Sequence, residues 1–138
     1  MRRVLIANRG EIAVRVAHGC HADGLEAVAI YSDVDRDALH VRTCTRSVSL
    51  GGASALESYL NVERILQAAE DSGADAIHPG YGFLIENAAF AEAVAAKGLI
   101  LIGPSPKACR AIGVQISARS LTEEAGVPCV PGAASYIY

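Results

Sequence analysis

The chain has 138 residues, of which 51% are hydrophobic and 20% charged, a composition typical of a folded domain that excludes a disordered or collagen-like protein. Twelve basic and fifteen acidic residues give a formal charge of −3 without a basic stripe, so we expect no nucleic-acid partner. The apolar runs are too short to span a bilayer and no secretory signal is evident, so we expect no membrane association and a cytoplasmic location.

The first predicted unit is a strand followed by a helix. Val4 to Ala7 form a continuous apolar run, which is typical of a strand covered on both faces. Asn8 stands at the expected N-cap and Glu11 follows three residues later, which predicts a capping box. Apolar residues then recur at helical spacing, at Ile12, Ala13, Val16 and Ala17.

A second strand is predicted at residues 27–31, followed by a polar turn at residues 32–37 that contains three aspartates. The turn lacks the glycine and the distal glutamate of a calcium-binding loop, so we interpret it as a solvated loop rather than a metal site. A short strand is predicted at residues 47–50, before a flexible segment with two glycines.

The remaining elements continue the alternation of strands and helices. Asn61 is predicted to cap a helix that Gly73 ends, and Ser105 to cap a helix that begins at Pro106. Further strands are expected at residues 76–78 and 99–102, and further helices at about 86–97 and 115–125. This alternation predicts an α/β fold, a three-layer, Rossmann-like domain with a central parallel sheet of about five strands. We assign the domain to residues 1–132 and interpret residues 133–138 as the start of a linker.

The cysteines and histidines do not form a recognisable metal or redox motif. The four cysteines are far apart and none belongs to a C-x-x-C pair, so we expect reduced, small core residues. His18 and His21 could share one helix face, but a solvated helix end is the preferred interpretation.

Three loops are expected at the carboxyl edge of the sheet, where parallel α/β domains bind ligands. They are residues 8–11, 78–83 and 103–106. Their glycines and Arg9 would suit an anion or nucleotide, although the glycines could equally serve tight turns alone. Neither a G-x-G-x-x-G sequence after the first strand nor a P-loop is present, so an NAD-binding fold or a P-loop is not supported.

Several stretches resemble the opening of biotin carboxylases, in order and with similar gaps. They are residues 4–13, 32–33 with 35–41, 57–61, 76–84 with 86–87, and 102–105. The resemblance runs from Met1 to about Gly132 and extends to acetyl-, propionyl- and methylcrotonyl-CoA carboxylases and to pyruvate carboxylase. It implies the first, pre-ATP-grasp domain of an ATP-dependent ligase.

The resemblance also implies the chemistry of the complete module. That module activates bicarbonate with ATP and magnesium and then carboxylates biotin on a biotin carboxyl carrier protein. The resemblance places the metal ligands, the catalytic base and most adenine contacts in the following ATP-grasp domains. We therefore expect no catalytic residue, no metal ligand and no bound cofactor in this chain alone, and no turnover by it.

The resemblance assigns four residues to the site and places a fifth in doubt. The backbone of Tyr81 and Gly82 is expected near biotin and bicarbonate, with Glu86 and Asn87 at the start of the next helix. Tyr81 could instead be a packing aromatic, and Glu86 an ordinary first-turn acid. Gln115 stands where the family usually has a lysine that holds the ATP phosphates.

Further departures are Ile85, where the family usually has a small residue, and residues 44–46, where it tends to have Ala-Asp-Glu. These changes suit a diverged carboxylase, a truncated carboxylase or a catalytically inactive binding module. Whether the acceptor is an acyl-CoA or pyruvate stays open. Without the following domains we also expect exposed apolar surface and some self-association.

Overall fold

The computed structural model describes residues 1–112 and 115–129. Its strands are β1 (Arg3–Ile6), β2 (Glu26–Tyr31), β3 (Arg46–Ser49), β4 (Ala76–His78) and β5 (Ile100–Leu101). Its helices are α1 (Gly10–Ala22), α2 (Leu39–Thr43), α3 (Val62–Ser72), α4 (Ala88–Ala96), α5 (Pro106–Ile112) and α6 (Gln115–Glu124). Within the described residues, the five strands form one parallel sheet in the order β3-β2-β1-β4-β5, which confirms the predicted α/β architecture.

β1 lies in the middle of the sheet, between β2 and β4. Leu5 is in register with Val28 on one side and with Ile77 on the other. A further backbone hydrogen bond, from the Ala7 amide to the His78 carbonyl, extends the pairing of β1 and β4 by one residue. Because the strands are parallel, their carboxyl ends share one edge, and the loops after β1 and β4 leave the sheet side by side.

Different helices cover the two faces of the sheet. On the face that carries Leu5, α3 and α4 bury Ile65 and Phe90 completely. On the opposite face, Val4 and Ile6 pack against α1, which contributes Ala13, Ala17 and Cys20. Burying one large aliphatic or aromatic side chain contributes about 1.5–3 kcal/mol, so the two clusters hold β1 from both sides.

Most of the predicted helix caps are confirmed. The side-chain oxygen of Asn61 accepts a hydrogen bond from the Arg64 amide, and Gly73 ends α3 with a φ of 65°. Ser105 accepts a hydrogen bond from the Ala108 amide at the start of α5. The helix expected at residues 86–97 begins later, at Ala88, with its own asparagine cap.

The capping box predicted at Asn8 is wrong. The N-cap of α1 is Arg9, and it makes no side-chain capping bond. Asn8 is buried one residue earlier, and its amide group faces a distant loop instead. The local sequence pattern was that of a cap, but two long-range acceptors engage the side chain.

The polar segment after β2 is more ordered than the predicted solvated loop. Residues Asp33–Asp35 form a 3₁₀ turn, and the short helix α2 follows it with His40 buried against the Ile30 carbonyl. The side chain of Asp35 is only 13% exposed. The prediction is therefore wrong for Asp35, whereas Asp33 and Asp37 are exposed as expected.

The four cysteines are free, as predicted. Cys20 and Cys109 are buried as expected of core residues, whereas Cys44 and Cys129 are only partly buried. None of the helices in the described part of the chain is long and apolar enough to cross a membrane. The segment 133–138, interpreted as a linker, lies outside the described residues, so the domain boundary at residue 132 stays a prediction.

Candidate functional site at the carboxyl edge of the sheet

Asn8 joins the loop after β1 to the loop after β4. Its Nδ2 atom donates hydrogen bonds to the carbonyl oxygens of Pro79 and Tyr81, each at 2.8 Å. Its Oδ1 atom accepts a hydrogen bond from the Arg9 amide at 2.9 Å. Because Asn8 is 3% exposed, these bonds are shielded from water and fix the path of the second loop.

Two glycines in the loop after β4 differ in the space around the position of a Cβ atom. Gly80 has a φ of +67°, and a Cβ atom there would lie 2.8 Å from Nδ2 of Asn8. Gly82 has a φ of +64°, but nothing lies within 4 Å of the place of its Cβ atom. Gly80 therefore permits the contact with Asn8, whereas Gly82 leaves its backbone open to an approaching molecule.

Tyr81 lies on the surface between these glycines. Tyr81 is 62% exposed, which argues against the alternative that its ring packs in the core. The Tyr81 hydroxyl donates a hydrogen bond to the carboxylate of Glu11, in the first turn of α1. This bond, together with the negative charge of Glu11, raises the pKa of Tyr81.

Glu86 and Asn87 follow the same loop, as expected, but only Asn87 has a defined local role. Its Oδ1 atom accepts a hydrogen bond from the Phe90 amide at 3.0 Å and caps α4. Glu86 is exposed and precedes that cap, so its interpretation as a first-turn acid is wrong.

The third predicted loop also reaches this edge. A Cβ atom at Gly103 would lie 3.2 Å from Cδ1 of Ile85 and 3.6 Å from the Pro79 ring. The Cys109 thiol lies 3.6 Å from the Ile85 carbonyl oxygen. The unusual Ile85 therefore fills the space between the second and third loops.

Sequence reasoning missed a group of side chains beneath the loop, which we call the Tyr59 cluster: Arg9, Asp35, Tyr59 and Phe83. The Tyr59 hydroxyl donates to Asp35 at 2.7 Å and accepts from the Ser32 amide at 3.2 Å. The Phe83 ring stacks on the Tyr59 ring with centroids 5.7 Å apart and an interplanar angle of 9°.

Arg9 completes the Tyr59 cluster. Its guanidinium carbon lies 5.7 Å from the centroid of the Tyr59 ring, and its Nε atom lies 3.3 Å from Asp35. Burial, and to a smaller extent the hydrogen bond to Asp35, raise the pKa of Tyr59 to about 12. The phenol therefore keeps its proton and remains the donor to Asp35 at neutral pH.

Phe83 adopts a backbone conformation that residues other than glycine rarely adopt. Within the described residues it is the one non-glycine residue with a positive φ, at 46°. This conformation costs an L-residue about 1–2 kcal/mol. Stacking of two aromatic rings stabilises by about 0.5–1.5 kcal/mol beyond burial, so the contact with Tyr59 offsets much of the strain.

His78 precedes the loop and is electrically neutral at physiological pH. Burial lowers its pKa, and its Nδ1 atom accepts a hydrogen bond from the Gly80 amide at 3.0 Å. An acceptor role for Nδ1 requires the tautomer with the proton on Nε2. His78 therefore shapes the turn without adding charge to it.

The described residues do not fit a metal centre. Among residues 1–112 and 115–129, no three His, Cys, Asp or Glu side chains are placed to hold a metal ion. Gln115 begins α6, but its side chain lies outside the described residues, and its proposed effect on phosphate binding stays a prediction.

The family model described as "Biotin carboxylase, N-terminal domain" matches residues 1–109. The chain belongs to this biotin carboxylase family. The match covers the sheet, the loops after β1 and β4 and the Tyr59 cluster, so the resemblance inferred from the sequence is confirmed.

Known biotin carboxylases and related enzymes agree with this assignment. The biotin carboxylase of Allochromatium vinosum is 52% identical over 132 residues, which are 96% of this chain and 29% of that protein. The biotin carboxylase domain of a single-chain bacterial carboxylase superposes with a TM-score of 0.88 at 43% identity, over 99% of this chain and 31% of that one. The urea carboxylase of Kluyveromyces lactis gives the same TM-score at 47% identity, over 94% of this chain and 12% of that one.

The chain spans less than a third of the length of these relatives.

Proposed function

We propose that this chain is the N-terminal part of an ATP-dependent biotin carboxylase, which activates bicarbonate and carboxylates biotin held on a carrier protein. The observation that carries the proposal is the open backbone at Gly82, on a loop held by Asn8 at the carboxyl edge of the sheet. We propose that the backbone of Tyr81 and Gly82 lines the side of the site that receives biotin and bicarbonate.

The chain's own residues support this role through shape rather than through reactive groups. Asn8 and Gly80 set the loop's path, and Glu11 holds the Tyr81 hydroxyl. Glu86 and Asn87 immediately precede α4, and we propose that they lie near the bound substrate. ATP supplies the activating phosphoryl group in such an enzyme, and we propose that residues outside this chain hold it with magnesium.

We propose two kinds of partner, the ATP-grasp domains of the parent enzyme and a biotin carboxyl carrier protein. The acceptor that finally receives the carboxyl group stays open, since the relatives include both acyl-CoA and urea carboxylases. Self-association of the isolated chain, a cytoplasmic location and the linker at residues 133–138 remain predictions.

A chimeric enzyme tests the role of the loop. In it, residues 1–132 replace the matching segment of the Allochromatium vinosum relative, and bicarbonate-dependent carboxylation of free biotin is measured. Gly82→Ala should lower kcat/KM by about tenfold or more, because the new methyl group stands where the substrate approaches.

Gly98→Ala is the matched control. Gly98 has a φ of +70° with nothing within 4 Å of its Cβ position, so it carries the same backbone strain away from the site. Each substitution should cost about 1–2 kcal/mol of stability. Equal losses of activity in the two variants would contradict a substrate-facing role for Gly82.

A further inference from the structure

The Tyr59 cluster ties together segments that are distant in sequence. Tyr59 lies between β3 and α3, Asp35 follows β2, and Arg9 follows β1. Phe83 is the member that belongs to the loop after β4, and it contacts the cluster through its stacked ring. The loop is therefore held at two places, by Asn8 at Pro79 and Tyr81 and by Tyr59 at Phe83.

The second attachment maintains a strained backbone. Phe83 has a φ of +46° although it is 39% exposed, so burial alone contributes little to stabilising this conformation. Asparagine would adopt the same φ with less strain but could not stack on Tyr59. Strained residues of this kind occur where the surrounding structure fixes a functional conformation.

We propose that Tyr59 and Phe83 are positioning residues that hold the backbone of Gly82 in the conformation that receives biotin. This inference rests on the proposed function, because it assigns a substrate to the loop. Tyr59 acts through Phe83 and need not touch the substrate. Its hydroxyl is fixed by Asp35 and by the Ser32 amide, which orients the ring on which Phe83 stacks.

Substitutions at Phe83 separate the stack from the strained φ. Phe83→Leu removes the stack but keeps the strained φ, so the loop should open more readily. Phe83→Asn removes the stack and relieves the strain, so the loop should stay closed and the melting temperature should stay unchanged or rise. Phe83→Tyr retains the ring and should behave like the parent protein. A residue needed only for folding would lower the melting temperature without changing the KM for biotin.

Loop order is measured first in the 138-residue chain itself. The Ile85 amide donates to the Gly82 carbonyl at 3.2 Å and reports on closure of the loop. In Phe83→Leu, its hydrogen exchange followed by NMR should accelerate about two- to tenfold, the range expected from losing one aromatic stack. Phe83→Tyr should keep the exchange slow. Unchanged exchange in Phe83→Leu would overturn the inference.

Kinetics of the chimeric enzyme provide the second readout. Phe83→Leu should raise the KM for free biotin by about two- to tenfold, and Phe83→Tyr should not. An unchanged KM would overturn the assignment of biotin to the positioned loop. An inactive parent chimera would contradict the proposed function instead, while the exchange measurement would still decide whether Tyr59 and Phe83 hold the loop.

Discussion

Replacing Asn8 with aspartate tests the link between the two central loops. The change preserves size but replaces an amide that donates to two carbonyl oxygens with a group that is acceptor-only when ionised. Losing two buried hydrogen bonds costs about 1–3 kcal/mol, and leaving carbonyls unpaired beside a carboxylate adds to it. We expect Asn8→Asp to lower the free energy of unfolding by about 2–4 kcal/mol.

Asn61→Asp is the matched control, because it makes the same chemical change where only an acceptor is needed. The Asn61 side chain accepts from the Arg64 amide, and aspartate caps helices as well as asparagine does. Urea unfolding at pH 7 should therefore separate the two variants, with a lower midpoint and an unchanged slope for Asn8→Asp. Equal stabilities of the two variants would refute the assigned role of Asn8.

Two further predictions concern charge. In an intact enzyme that carries this segment, Gln115→Lys should tighten ATP binding about ten- to a hundredfold, as a charge-assisted contact of about 1.5–3 kcal/mol implies. Equal dissociation constants from ATP titration would remove Gln115 from the site, with Lys107 or Arg110 as the competing cation. Burial, with a smaller effect of Cys20, raises the pKa of Cys44 from 9.0 to about 11, so the folded state keeps a proton that the unfolded state loses. The stability that this provides is present below pH 9 and is lost as the pH rises towards 11. Over that pH range, the urea midpoint should therefore fall less steeply for Cys44→Ala than for the parent protein. Equal declines of the two midpoints would contradict the raised pKa of Cys44.

Local patterns were sufficient to predict most of the elements. Continuous apolar runs marked β1 and β2, and asparagine or serine before a helical pattern marked the caps at Asn61 and Ser105. Asn8 carried the same local pattern, but the two carbonyl oxygens that accept from its amide group lie more than 70 residues away, which no cap rule considers. A local pattern therefore predicts an element better than it predicts the partner of a side chain.

The Tyr59 cluster could not be predicted from the sequence for the same reason. Its contacts join four loops whose proximity depends on strand order, and β4 beside β1 is a non-local pairing. The resemblance to the family included Tyr59 and Phe83 in its matching stretches but assigned no role to either. The strained φ of Phe83 has no sequence signature, since aromatic residues rarely adopt it.

We propose that residues 1–132 form a working N-terminal domain of a biotin carboxylase. The most direct test is the rate of bicarbonate-dependent ATP hydrolysis with free biotin, compared between the chimeric enzyme and the unaltered Allochromatium vinosum relative. Because the loops and the sheet are those of the family, we predict a rate within about tenfold of the relative, a difference of about 1.4 kcal/mol in barrier height. A folded chimera that binds ATP but shows no bicarbonate-dependent hydrolysis would contradict the claim.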